Sequence, residues 1–177
     1  MLLCLVGSEM CIRDSSKGFA AIIFIDDKST LKLKEDSEAV ITGQRSAASI
    51  SKKINMDSGT VRATITKQNT DFVIQTPTSV ASVKGTDFWL ITNPETGDQI
   101  IGIEGIIGLT NNETGQEVDV TKGMSGISTP DGNIGLEVTD QSSIPEDPSV
   151  DIDGPSQIKI YLEGPNGEQR VMVIEYQ

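Results

Sequence analysis

Apolar and polar residues alternate with a period of two along most of this chain, and that pattern points away from helices. Leu31-Lys32-Leu33-Lys34 is the strictest example, and Val61-Arg62-Ala63-Thr64-Ile65 repeats it. Successive side chains of a strand point to opposite faces, so such runs describe strands with one buried face. Residues 20–25, 39–42, 50–54, 72–74, 80–83, 87–91, 99–103, 106–109 and 117–120 read the same way. Only 46–54 has room for a single helical turn. Turn signals such as Asp26-Asp27-Lys28-Ser29 and 93–97 recur about every 8–12 residues. The prediction is an all-β fold: a compact β-roll or short β-solenoid-like sandwich of many short strands.

Composition agrees with that architecture. Aromatic residues make up only 4% of the 177, so the core must be built from Val, Ile, Leu and Ala. Gly102, Gly105 and Gly108 interrupt an apolar β run, where glycine is useful only if the chain bends or backbones approach closely. They predict a tight corner where strands cross between layers. A phosphate-binding loop does not fit them, because neither Lys-Ser/Thr nor a helix follows.

The formal charge is −12 and there is no histidine. This acid excess argues against nucleic acid or an anionic membrane as partner. Without histidine, Ser-His-Asp and Cys-His catalysis are excluded, as is the commonest zinc site. The acidity is concentrated: 131–177 holds ten acids and two bases, against fourteen and eleven in 16–130.

Both ends differ from the middle. MLLCLVGSEMCIRDS, residues 1–15, has too short an apolar run and no basic start for a signal peptide. It resembles translated sequencing-adapter read-through of the kind found on metagenomic fragments. The expectation is that it is non-native, with Cys4 and Cys11, and that the native targeting segment is missing. Residues 17–138 read as one β domain, and 139–156 as an acidic, proline-containing linker. Residues 157–177 read as a C-terminal β-hairpin turning at Asn166-Gly167.

Several motifs then point to a family. Thr76-Pro77 is followed by Val80-Ala81-Ser82-Val83-Lys84-Gly85-Thr86-Asp87-Phe88, then by Ile103-Glu104-Gly105-Ile106 and Lys122-Gly123. Upstream stand Ile23-Phe24-Ile25-Asp26-Asp27, Leu31, Leu33 and Ser37. Over about residues 18–130 the chain resembles the FecR domain family. One departure is Asp27-Lys28-Ser29, where the family usually has Asp-Gly-Ser. The matched positions Thr76, Pro77, Val80, Ala81, Val83, Gly85, Thr86, Phe88, Glu104, Gly105 and Gly123 all suit packing or turns, with Val80, Val83 and Phe88 expected to face the core. The resemblance implies a periplasmic or cell-surface domain that binds a protein partner. Some such domains sit in regulators that pass a transport signal to an anti-sigma segment. Others belong to structural or glycan-binding envelope proteins.

No residue stands out as reactive, and no catalytic, metal or cofactor site is expected. Asp151-Ile152-Asp153-Gly154 is half of a calcium loop, but Ser149 and Ile160 stand where ligands are needed. Asp26, Asp27, Asp87 and Glu104 sit at turns or strand ends, where carboxylates are solvated. Trp89, the only tryptophan, is the candidate interaction residue: a stacking platform or interface anchor, or else buried beneath the C-terminal hairpin. It must point away from Phe88. Partner, oligomeric state and strand order are left open by the sequence.

Overall fold

The structure is a computed structural model. It describes the backbone of residues 2–6, 9–13, 18–24, 27–45, 50–67, 72–148, 156–163 and 169–176. Side chains are described over 18–24, 27–42, 52–67 and 72–148. Among these residues the fold is all-β, with one 3-10 turn at Gln141–Ser143 and no α-helix.

The strands come as successive antiparallel pairs. β1 (Leu2–Val6) pairs with β2 (Glu9–Arg13), and β3 (Ala20–Ile23) with β4 (Thr30–Leu33). β5 (Glu38–Arg45) pairs with β6 (Ile50–Ile65), β7 (Phe72–Gln75) with β8 (Ser79–Val83), and β9 (Thr86–Asn93) with β10 (Gly97–Glu104). β11 (Ile106–Asn111) pairs with β12 (Glu117–Thr121), and β13 (Met124–Ser128) with β14 (Ile134–Val138). β15 (Ser156–Glu163) and β16 (Gln169–Tyr176) form a separate two-stranded sheet.

These pairs are divided between two layers, and from β7 onward successive pairs alternate between them. The first layer runs β1-β2-β5-β6-β7-β8-β11-β12, and the second runs β3-β4-β6-β9-β10-β13-β14. β6 belongs to both. Residues 50–58 pair with β5, and 59–65 pair with β9. β12 approaches β13 and β14 at the far end, so the sheet nearly closes on itself.

The alternation anticipated most strands but not all. Residues 50–54 and 61–65 are one continuous strand, because Asp57-Ser58-Gly59 bends the chain without ending it. Residues 50–54 are therefore strand rather than part of a helical turn, while 46–49 lie outside the described residues. β13 and β14 were hidden by their internal glycines. β1 and β2 fall within the adapter-like segment, and the backbone of β2 pairs with β5.

The core lies between the layers. Phe72, Ile74, Ala81, Val83, Ile107, Leu109 and Val120 come from the first, and Leu31, Leu33, Val61, Ala63, Phe88, Leu90 and Ile100 from the second. Phe72 and Phe88 have no exposed surface, and each stabilises the fold by roughly 1.5–3 kcal/mol relative to an exposed ring. Val80 corrects an expectation. It lies three residues from Val83, so on a strand it takes the opposite face and is only half-buried, while Ala81 and Val83 point inward.

Candidate interaction surfaces

Glycines mark where the chain changes layer. Gly85 (φ 88°) joins β8 to β9, Gly105 (φ 85°) joins β10 to β11, and Gly123 (φ 78°) joins β12 to β13. All three belong to the matched motif set. L-residues other than glycine adopt such φ values only at a cost. Two of these corners also touch: a Cβ on Gly105 would stand 2.8 Å from the Gly85 carbonyl oxygen and 2.7 Å from Thr86 Cγ2. The expected corner is thus centred on Gly105. Gly102 is needed for another reason, since its Cβ would lie 2.4 Å from the Thr121 carbonyl oxygen.

The remaining motif residues are placed around these corners. Thr76 is buried in the β7–β8 turn, where its Oγ1 accepts from the backbone N–H groups of Thr78 (3.1 Å) and Ser79 (2.8 Å). Pro77 is exposed beside it. Thr86 and Phe88 are buried, and Glu104 is exposed just before Gly105. Sequence reasoning missed Asp98, which is 2% exposed and accepts the hydroxyl hydrogens of Thr76, Ser79 and Thr92. Its one signal was an acid at the junction between the 93–97 turn and the 99–103 run.

Two sets of charged groups elsewhere are paired, one around Lys52 and one around Arg62. Lys52 Nζ lies 2.6 Å from Asp27 Oδ2 and 4.7 Å from the centre of the Phe24 ring. Burial pushes the Asp27 carboxyl up, but the hydrogen bonds from Lys52 and Ser29 outweigh it and hold the pKa below the ordinary value. Asp87 is bound by both prongs of Arg62, at 3.1 Å and 2.9 Å. That pairing, outweighing burial, raises the Arg62 pKa further. Glu104 stands opposite Asp87 across β9–β10, but Asp27 is paired with Lys52 elsewhere, so the three carboxylates do not converge. Asp26 and the half calcium loop at 151–154 lie outside the described residues.

Two outward surfaces remain. On the first layer, Ser82, Lys84, Ile106, Gly108, Glu117 and Asp119 line an open groove of about 610 Å³. Ile106 is 59% exposed there, and Gly108 leaves the hollow between Ser82 and Asp119, its partners across the sheet. On the second layer, Lys32, Arg62, Trp89, Ile101 and Ser125 form one row across five strands. Trp89 is 2% exposed and lies outside the core cluster, on the face away from Phe88. The Arg62 guanidinium stands 5.8 Å from its ring centre. Asp147, from the acidic segment after β14, bridges Arg62 (2.5 Å) and Lys32 (3.0 Å) on the same face.

Among the described residues no helix is long and apolar enough to cross a membrane, and no three His, Cys, Asp or Glu side chains converge as a metal site.

Comparison with known proteins adds three findings. Two crystal structures, each described as a "putative anti-sigma factor" from Parabacteroides distasonis, share this fold. One has a TM-score of 0.62 at 13% identity, covering 75% of this chain and 61% of that one. The other has a TM-score of 0.61 at 14% identity, covering 73% and 60%. The chain thus spans about three-fifths of their length. A comparison with curated proteins finds no match. A family model described as FecR protein matches residues 13–107, which is 95 of the 177 residues and more than half of the chain. On that match the chain belongs to the FecR family.

Proposed function

We propose that this chain is the extracytoplasmic β domain of an envelope regulator and works by binding another protein, within sigma/anti-sigma signalling. The observation that carries this reading is the family match over residues 13–107. The fold shared with two structures described as a "putative anti-sigma factor" supports it. The motif residues support a non-catalytic role, because they set corners and core and leave no reactive group in a cleft. The charge of −12 favours a protein partner over nucleic acid or anionic lipid. The exposed Ile106 in its charged groove offers one surface of contact.

Two measurements test the reading in the source bacterium. An in-frame chromosomal deletion of codons 18–138 is expected to change transcription from a sigma-dependent promoter. Alkaline phosphatase fused after residue 177 is expected to be active. Unchanged transcription would overturn the regulatory role, and an inactive fusion would overturn the location.

A further inference from the structure

After β14 the chain turns back across the outer face of the second layer. Thr139 Oγ1 lies 2.9 Å from Ser125 Oγ on β13, and eight residues later Asp147 meets Arg62 on β6 and Lys32 on β4. β10 and β9 lie between these anchors, so the segment passes over the row that holds Ile101 and Trp89. The lengths agree: four strand spacings are roughly 19 Å, and eight extended residues reach roughly 27 Å. Ile144, Pro145, Asp147 and Pro148 are half-buried along this path. Trp89 and Ile101 are buried although they face away from the core cluster.

The segment is lightly held. Among the described residues, its one backbone–backbone bond to the sheet joins Thr139 N–H to the Gly123 carbonyl, at 3.0 Å. At its far end Lys34 Nζ donates to the Glu146 carbonyl across 3.5 Å, and Asp147 forms ion pairs between partly exposed side chains, which contribute little and weaken with salt. What it covers is richer. Asp87 engages Nε and Nη2 of Arg62 and so fixes the guanidinium, leaving Nη1 to meet a second carboxylate. Arginine beside tryptophan and an apolar neighbour is the composition of an energetic centre in protein interfaces.

We propose that residues 139–148 are a releasable clasp, and that Lys32, Arg62, Trp89 and Ile101 beneath it dock an acidic, proline-containing extended segment of a partner protein. The clasp's own Pro145-Glu146-Asp147-Pro148 shows what the face accepts: a carboxylate between two cations, one of which stands over the Trp89 ring. The docking step rests on the protein-binding reading above; release of the clasp does not.

Trp89 is the only tryptophan, so fluorescence of the full chain excited at the red edge, where Tyr161 and Tyr176 do not absorb, reports this face alone. Acrylamide quenching of the unmodified protein is expected to rise as NaCl goes from about 0.05 M to about 1 M. In Asp147→Asn it should at least roughly double at low salt, with circular dichroism unchanged. A synthetic peptide Ser-Ile-Pro-Glu-Asp-Pro-Ser should restore protection in that variant, about tenfold more tightly than its Asp-to-Asn version. Quenching that responds to neither salt nor the variant overturns the clasp. Increased quenching with no protection by the peptide, or equal protection by both peptides, overturns the docking face. Neither failure bears on the reporter and fusion measurements, so the two readings fall separately.

Discussion

Thr76 Oγ1 donates to Asp98 Oδ2 across 2.5 Å, joining the β7–β8 turn of one layer to the start of β10 in the other. Ser79 and Thr92 donate to the same buried carboxylate. Asp98→Ala removes the acceptor of Ser79 and Thr92, leaves Thr76 only the Ser79 carbonyl at 3.1 Å, and opens a small void, a loss of about 3 kcal/mol. Asp98→Asn keeps one acceptor oxygen and should lose about half as much. Urea unfolding measures both, and wild-type stability in the alanine variant would remove Asp98 as the tie between layers.

Gly59 is where β6 passes from one layer to the other. Its φ is 111°, and a Cβ there would stand 2.3 Å from Ser37 Oγ and 2.5 Å from Ser37 Cα. Ser37 cannot withdraw, because its Oγ accepts from Thr60 N–H at 3.0 Å. Gly59→Ala is expected to cost about 2–4 kcal/mol, combining strain and overpacking. Thermal melting of the variant beside wild type checks this.

Lys28 sits at φ 63°, in a turn where the family usually places glycine. Lys28→Gly removes the steric cost of the left-handed conformation, partly offset by greater freedom in the unfolded chain. A net gain of about 0.5–1 kcal/mol is expected. A loss in denaturant titration would show that the lysine stem contributes packing that outweighs the strain.

Asp27 has its folded pKa held below the ordinary value, with hydrogen bonds from Lys52 and Ser29 overcoming burial. The folded state therefore binds this proton more weakly than the unfolded state does. The contribution is complete well above the unfolded pKa near 3.8, falls as the pH drops below it, and is gone under the folded pKa. Unfolding free energy followed from pH 6 to pH 3 should show this acid-sensitive component in wild type and lose it in Asp27→Asn.

Local rules carried the sequence reading as far as local rules apply. The 80–88 motif is legible as strand, glycine corner and strand because turn chemistry is encoded within a few residues. The same holds for 103–106. Asp98 and Asp147 were not legible, since their partners lie far away along the chain. Asp98 reaches back 22 residues to Thr76, while Asp147 reaches 85 to Arg62 and 115 to Lys32. Composition reads 139–156 as solvated linker because acids and prolines look the same on a surface whether or not they are docked. β13 and β14 escaped notice because Gly126 and Gly135 break the alternation. Gly126 faces the core, where a Cβ would lie 2.4 Å from Val120 Cγ2.

The alternation of paired strands between two layers has a mechanical consequence. Within the two layers, tension drawn from the C-terminal side would meet β13–β14 first, then β11–β12, then β9–β10, then β7–β8. The domain should yield in small successive extensions, as a zip does, until the load reaches β6. That strand is stitched into both layers over sixteen residues, and there a single-molecule force trace should show its tallest peak.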